Sequence, residues 1–212
     1  MQAAVEEAHK AGRKVAAHAE GLQGILNALE AGVDTIEHGN FLNEEAAQRM
    51  VTGGQILVPT LSPFYRMAQL GTEGGIPEYA VRKARQVVSA SFHAVELAKT
   101  YRVPIASGTD DGSPKLPHGV LVYELELLVR AGLSPLEALH AATTIAAKAC
   151  GLFDQIGTLE SGKSADFISV TGDPLQDISA LRNVDTVVIQ GTFVKRNDAP
   201  LLRQSSITEV HL

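Results

Sequence analysis

Short apolar runs and longer segments of helical periodicity alternate along residues 1–151 of this 212-residue chain. The apolar runs predict four β-strands, at residues 14–17, 34–37, 55–60 and 103–107. The longer segments predict helices at residues 2–11, 22–31, from Asn43 onward, 77–101, 119–131 and 134–149, and a glycine-rich loop is expected before Pro77. Strands that alternate with helices are typical of parallel strands joined by crossover helices.

Two of these helices begin at residues with a specific capping pattern. Asn43 is a preferred capping residue and is followed by two glutamates, whose charges suit the positive end of a helix. Ser134 and Glu137 have the spacing of a capping box, and Pro135 stands at the first helical position, where proline is favoured. The helix from Ser134 to about Ala149 therefore carries the strongest local helix signal in the chain.

The pattern changes after Gly151. Residues 157–168 read as a turn that leads into a strand, and residues 184–189 and 192–195 read as a β-hairpin joined through Gly191. The chain is therefore divided into an α/β part at 1–151, a small β part at 152–196 and a polar tail at 197–212, which is expected to be poorly ordered.

Two architectures fit the α/β part, an open doubly wound sheet and an eight-unit barrel. No glycine-rich phosphate loop follows the strands, and the candidate metal ligands follow the carboxyl ends of strands, where barrel enzymes carry out their chemistry. Both observations favour the barrel. Only four strand-helix units are present, however, and the chain opens on a helix with no strand before it.

Composition and charge exclude several kinds of partner. The chain is 45% hydrophobic, and it has neither an apolar run long enough to cross a bilayer nor a charged-then-apolar leader, so a cytoplasmic protein is expected. The net charge of −6 is spread without blocks, which argues against nucleic acid and anionic membranes as partners. The single cysteine, Cys150, excludes an intrachain disulfide and a Cys-x-x-Cys metal site.

Three of the predicted strands are followed by residues that bind divalent metals. His18 follows residues 15–17, His38 follows residues 35–37, and Asp110 follows the fourth apolar run. Two imidazoles and a carboxylate from separate strands are ligands that Zn²⁺ takes in hydrolytic sites, where one coordination position stays open for water. The sequence therefore predicts a metal-dependent hydrolase. A lone histidine beside a strand is more often a buried structural residue, so the prediction rests on the three-part pattern.

These motifs resemble the C-terminal half of the amidohydrolase superfamily, in particular its imidazolonepropionase-like and prolidase-like members, the latter including Xaa-Pro and Xaa-Arg dipeptidases. The resemblance rests on V-A-A-H-A, I-E-H-G, S-G-T-D and G-T-L-E-S-G-K-S-A-D-F, and it extends over residues 3–196. It implies an α/β fold: a partial (β/α)₈ TIM barrel, in which residues 14–107 supply strands five to eight, with a C-terminal segment of a small β-sandwich domain.

The resemblance also implies a role for each candidate residue. His18 and His38 bind one metal, and Asp110 binds a second and contacts the hydrolytic water. The complete enzyme would hold one or two divalent metals, with Zn²⁺ expected. A carboxylate beside a metal-bound hydroxide can accept a proton and return it to a leaving amine, so Asp110 is expected to be both a ligand and the general acid/base. The implied reaction is hydrolysis of the C–N amide bond of a dipeptide or a small cyclic amide.

Other polar residues near these motifs have more than one interpretation. Asp111 follows Asp110 directly, so a shift of one residue would exchange the two, and Asp110 is favoured because it follows Gly108-Thr109. His118 is a candidate substrate-binding residue, and a solvent-exposed position at a helix start is equally compatible with the sequence. Glu20 and Glu37 are expected to be surface residues or to lie behind the ligands.

Family members also carry a His-x-His pair on the first strand and a carboxylated lysine or its equivalent on the fourth, and the chain has neither upstream of His18. Two histidines and one aspartate cannot fill two metal shells. The expected partners are therefore a missing N-terminal half or a second copy of the chain, together with a dipeptide or other small-molecule substrate. The alternative is a catalytically inactive fragment that binds metal weakly or completes a partner.

Overall fold

The computed structural model describes residues 1–112 and 116–196 and the backbone of residues 199–200. Three parallel strands, β1 (Ala16–Ala19), β2 (Thr35–His38) and β3 (Ile56–Val58), form one sheet in the order β1-β2-β3. A fourth segment extends this sheet by a single bridge, in which Ile105 pairs with Leu57 in parallel. The predicted succession of parallel strands and helices is confirmed.

Eight α-helical segments are present in the described part of the chain. They are α1 (Gln2–Lys10), α2 (Leu22–Glu30), α3 (Glu44–Gly53), α4 (Leu61–Leu70), α5 (Glu78–Tyr101), α6 (Leu121–Arg130), α7 (Pro135–His140) and α8 (Ala146–Ala149). A π-helical segment, Ala141–Ile145, joins α7 to α8, and a 3₁₀ helix follows at Ile178–Arg182. No helix of the described residues is both long enough and apolar enough to cross a membrane.

Local capping explains several of these helix boundaries. The Asn43 side chain accepts a hydrogen bond from the backbone N–H of Ala46 at 2.9 Å, as expected for a helix cap. The capping box before α7 is also confirmed, because Ser134 and Glu137 exchange backbone-to-side-chain hydrogen bonds of 2.6 and 3.2 Å. The starts of α3 and α7 are therefore predicted correctly from residues only three positions apart.

The two faces of the parallel sheet have different roles. Ala19, Ile36 and Leu57 belong to the main hydrophobic core, which they share with the helices. Because strand side chains alternate, His18, Glu37 and Val58 lie on the opposite face, and the strand register places them side by side. Part of that opposite face is covered by a second apolar cluster, in which residues 145–149 of the C-terminal helical segment pack on β3.

The structure corrects the sequence prediction at three places. β1 and β2 have the predicted length of four residues but lie two and one residues further along the chain, so that His18 lies within β1 and His38 is the last residue of β2, and β3 has three residues instead of six. The fourth run forms only the bridge at Ile105. The expected loop before Pro77 contains α4, in which Pro63 occupies the first turn, where no intrahelical N–H is required.

A second, antiparallel sheet follows the helices. It contains β4 (Phe167–Val170), β5 (Val184–Ile189), β6 (Thr192–Arg196) and the two-residue β7 (Ala199–Pro200), in that order. The predicted hairpin is confirmed as β5 and β6. The sequence predicts a polar tail from residue 197, but residues 199–200 pair with β6, and residues 197–198 and 201–212 lie outside the described residues.

Asp34 forms hydrogen bonds that stabilise the start of the parallel sheet. Its carboxylate accepts a hydrogen bond from the backbone N–H of Val15 at 2.7 Å and contacts His9 at 2.8 Å and Lys14 at 3.2 Å. Burial pushes the pKa of Asp34 upward, but these three partners more than offset burial, and its pKa is lowered from the ordinary value. The ionised form is therefore the one that the folded state prefers.

We predict that Asp34→Asn lowers the free energy of unfolding by about 1–3 kcal/mol at pH 7, because charge-assisted hydrogen bonds are lost. A lowered folded-state pKa stabilises the protein above the unfolded pKa, and this contribution disappears as the pH falls through the folded pKa. Urea unfolding from pH 7 to pH 3 should therefore show the two proteins converging at acid pH. Glu7→Gln, which removes an exposed ion pair with Lys10, is the matched control and should change little.

Candidate metal centre

Two histidines meet at the carboxyl ends of neighbouring strands. The parallel register pairs His18 with Glu37 and Ala19 with His38, so the two imidazoles come from positions one residue apart in register. Their ring centroids are 4.5 Å apart, with an angle of 73° between the ring planes. Parallel strands place their carboxyl ends at one edge of a sheet, which explains why residues 20 positions apart in sequence become neighbours.

His38 is held more firmly than His18. Only 8% of His38 is exposed, and its Nδ1 atom lies 2.6 Å from Oγ1 of Thr60. Both residues have a positive φ, +72° for His38 and +45° for Thr60, which is uncommon and costly for a β-branched residue. The backbone therefore adopts two unfavourable conformations at the contact that orients this ring.

The surroundings of His38 favour the neutral form of its ring. Burial lowers the pKa of His38, and the nearby His18 ring acts in the same direction, while the charges of Asp110 and Glu20 oppose them. A neutral imidazole whose Nδ1–H donates to a hydroxyl oxygen has a lone pair on its other nitrogen. Within the described residues, Nε2 of His38 forms no hydrogen bond.

His18 is more open to solvent. Its side chain is 71% exposed, and Nε2 lies 4.0 Å from Oε1 of Glu20. Glu20 stands just beyond β1, where its backbone carbonyl accepts a hydrogen bond from Phe41 N–H at 3.0 Å. The Glu20 carboxylate thus lies beside His18, whereas the sequence left open a position at the surface or one behind the ligands.

Glu37 is a residue that the sequence analysis leaves outside the site. It shares a sheet face with His18, and its carboxylate accepts a hydrogen bond from the Thr35 hydroxyl at 2.5 Å. Burial raises the pKa of Glu37, the Thr35 hydroxyl opposes that shift, and the negative charge of Asp110 adds to it. The signal available in the sequence is the alternation of side chains along a strand. Thr35 and Glu37 are two residues apart and therefore share a face of β2, and the pairing of β1 with β2 places His18 on that face.

Asp110 lies within electrostatic range of the histidine pair. It is exposed, has a φ of +46°, and influences the pKa values of both Glu37 and His38. The structure does not assemble the complete predicted ligand set, however. Within residues 1–112 and 116–196, no group of three or more His, Cys, Asp or Glu side chains is placed to hold a metal ion.

The carboxylate of Asp111, the next residue, contacts residues 118 and 119 of the loop that follows. Oδ2 of Asp111 accepts a hydrogen bond from Gly119 N–H at 2.9 Å, and Oδ1 lies 3.4 Å from Nδ1 of His118. The Gly119 N–H is the largest of the effects that lower the pKa of Asp111. This engagement favours Asp110 over Asp111 as the carboxylate left for chemistry. The His118 side chain is 85% exposed and contacts the loop through Asp111.

Gly108 brings the Asp110 segment against β3. A Cβ atom at this position would lie 2.6 Å from Cγ1 of Val58 and 3.6 Å from Cγ2 of Thr60. Val58 is buried, so its methyl group has little room to move. The absence of a side chain at Gly108 therefore sets how closely the Asp110 segment approaches the Thr60 that contacts His38.

This chain belongs to the amidohydrolase family, whose model matches residues 1–194. A solved structure of a Xaa-Pro dipeptidase with bound methionine in its active site is 38% identical, with a TM-score of 0.84 over 92% of this chain and 48% of that one. Ochratoxinase from Aspergillus niger is 33% identical over 88% of this chain and 38% of its own length. Imidazolonepropionase from Shewanella pealeana is 28% identical over 76% and 35%.

The resemblance inferred from the sequence is thus confirmed at the level of the family. The chain spans less than half the length of each of these relatives. A Xaa-Pro dipeptidase and an imidazolonepropionase are both among these relatives.

We predict that Gly108→Ala destabilises the protein by about 1–3 kcal/mol, because the new methyl group overlaps Val58. Gly24→Ala is the matched control. Gly24 lies in α2 with nothing within 4 Å of its Cβ position, so that substitution should raise stability by up to about 1 kcal/mol. Thermal unfolding of both variants gives the comparison, and a loss of similar size in each would show that the close approach at Gly108 is unimportant.

Proposed function

We propose that this chain is the C-terminal part of a metal-dependent amidohydrolase that hydrolyses a C–N amide bond. The observation that carries the proposal is the His18–His38 pair, two imidazoles 4.5 Å apart at adjoining strand ends in a chain of the amidohydrolase family. Neutral imidazole is the commonest protein ligand for divalent transition metals.

The histidine pair could supply two of the four ligands of a tetrahedral metal ion. His38 meets the usual requirement of an oriented ligand, since its second ring nitrogen contacts a hydroxyl and its burial favours the neutral form. His18 and His38 would hold the ion together, and Asp110, whose charge acts on His38, would be a further ligand. When bound, a divalent metal such as Zn²⁺ supplies a Lewis acid and lowers the pKa of water.

The side chains of this chain would handle the proton and the substrate. Asp110 would accept a proton from the attacking water and return it to the departing amine nitrogen. His118, exposed on the loop that follows, would contact a carbonyl or carboxylate of the substrate. Glu37 would lie beside the site, on the same sheet face as His18, with its pKa raised by burial.

We propose further that β1, β2, β3 and the Ile105 segment are the fifth to eighth strands of a (β/α)₈ barrel, and that β4–β7 belong to a small sandwich domain. The remaining ligands, including the His-x-His pair of the family, would then come from polypeptide outside these 212 residues or from a second copy of the chain. The shares of 48%, 38% and 35% that the chain covers in its relatives support this division.

Dipeptides and small cyclic amides are the proposed substrates. The relatives include a Xaa-Pro dipeptidase and an imidazolonepropionase, and both names denote hydrolysis at a carbon–nitrogen bond. A catalytically inactive fragment is the second candidate. It is favoured by one observation, that the described residues contain no set of three metal-binding side chains.

We predict that the chain binds at most one Zn²⁺, weakly, because His18 and His38 with Asp110 leave the remaining positions to water. Calorimetric titration should show that His18→Ala and His38→Ala each weaken binding by at least about 10-fold. His93→Ala, which removes an exposed histidine of α5, is the control and should leave the affinity unchanged. Tight retention of two metals after dialysis against a chelator would contradict this ligand assignment.

In a protein completed by the N-terminal half, we predict that Asp110→Asn lowers kcat by at least about 10²-fold, the usual loss for a general acid/base. His118→Ala should instead raise KM more than it lowers kcat, because its contact would be similar in the ground and transition states. Steady-state kinetics on Xaa-Pro and Xaa-Arg dipeptides and on hydantoin-like rings test both. Full activity of Asp110→Asn would refute the proton-transfer role.

A further inference from the structure

Glu124 is a fully buried carboxyl in the middle of the helical layer. It lies on α6, has 0% exposure, and accepts hydrogen bonds from the backbone N–H groups of Leu61 and Ser62, each at 2.8 Å. The Ser62 hydroxyl donates a further, short hydrogen bond to Oε2. Neither the sequence motifs nor the proposed reaction assigns any role to this residue.

The partners of Glu124 form the first turn of α4. The leading N–H groups of a helix have no intrahelical acceptor, and a side chain at the residue before the helix usually supplies one. Thr60 occupies that position but forms no capping bond, because its hydroxyl lies 2.6 Å from Nδ1 of His38. Glu124, which is far from this turn in sequence, supplies the acceptor instead.

Thr60 connects the buried Glu124 carboxyl to His38, because it contacts the His38 ring and directly precedes the two residues that Glu124 binds. Thr60 is followed directly by the two residues that Glu124 holds, and its φ of +45° is a conformation that a β-branched residue adopts only under constraint. Fixing the N–H groups of Leu61 and Ser62 fixes the direction in which α4 leaves Thr60. The Thr60 hydroxyl thereby remains available to His38.

We propose that Glu124 is a positioning residue for His38, acting through the first turn of α4 and the Thr60 hydroxyl to hold the imidazole in one tautomer, with Nδ1–H donating to Thr60 Oγ1 and Nε2 left free. The inference rests on the proposed function only where it concerns metal binding. The positioning of the His38 ring by Glu124 is independent of metal and is tested in its absence.

The cost of burying Glu124 supports a specific role. Burial raises the pKa of Glu124 to about 7, against the opposing effect of the hydrogen bonds from Ser62 and Leu61. A buried carboxyl is expensive in an apolar core, whereas an unpaired backbone N–H costs less. The helix start alone therefore does not require a carboxyl from α6, and the strained Thr60 backbone gives a reason for it.

The test compares Glu124→Gln with Glu126→Gln in the full chain. Glu126 lies on the same helix, and its carboxylate accepts its hydrogen bonds from Arg182 instead of from the first turn of α4. In Glu124→Gln, the new side-chain amide would set an NH₂ group against N–H donors and lose one acceptor. Ser62→Ala is the milder variant, since it removes only the hydroxyl bond and leaves both backbone bonds to Glu124.

The readout is ¹⁵N NMR of the His38 ring in the absence of metal, together with the melting temperature. In the unsubstituted chain we expect one tautomer and a slowly exchanging Nδ1–H. In Glu124→Gln the ring signals should shift toward a mixture of tautomers, with Nδ1–H exchange faster by about 10-fold or more, and Ser62→Ala should show a smaller shift in the same direction. Glu126→Gln should leave the ring signals unchanged even where it lowers the melting temperature.

Unchanged His38 signals in a folded Glu124→Gln variant would overturn the proposal, as would an equal change in Glu126→Gln. If Glu124→Gln does not fold, Ser62→Ala decides, and unchanged signals there count against the proposal. A parallel Zn²⁺ titration separates the two ideas. Where the unsubstituted chain binds Zn²⁺, Glu124→Gln should bind it about 10- to 100-fold more weakly. Where it does not, the metal proposal fails and the ring measurement still tests positioning.

Discussion

The parallel pairing of β1 with β2 is the constraint on which the candidate site depends. Its register sets His18 beside Glu37 and Ala19 beside His38, and it brings two imidazoles to one edge of the sheet. A slip of one residue would turn His18 to the helix-covered face, where the buried side chains of Ala19 and Ile36 pack in the core. The hydrophobic core and the candidate metal centre are therefore set by the same register.

Sequence reasoning is reliable where the cause of a structure is local. The capping patterns at Asn43 and Ser134 predict helix starts correctly, and strand periodicity predicts the hairpin of β5 and β6. The same reasoning brings His18 and His38 to adjoining strand ends, as the structure places them. Each of these inferences needs only neighbouring residues or the general rule that parallel strands align their carboxyl ends.

Features with distant causes escape sequence reasoning. Helix α4 has no capping side chain of its own, and its acceptor comes from Glu124 on another helix, so no local pattern marks its start. The contact between His38 and Thr60 depends on two residues with positive φ, which the sequence does not reveal. The position of Asp110 also cannot be predicted locally, because it depends on the packing of Gly108 against Val58.

The central claim is that the imidazoles of His18 and His38 bind the same metal ion. X-ray absorption of the chain loaded with one equivalent of Zn²⁺ tests this claim most directly. The account predicts two imidazole nitrogens at about 2.0–2.1 Å from the metal, and one imidazole fewer in His18→Ala or in His38→Ala. A spectrum with no imidazole scattering, or one that is unchanged in both variants, would contradict it.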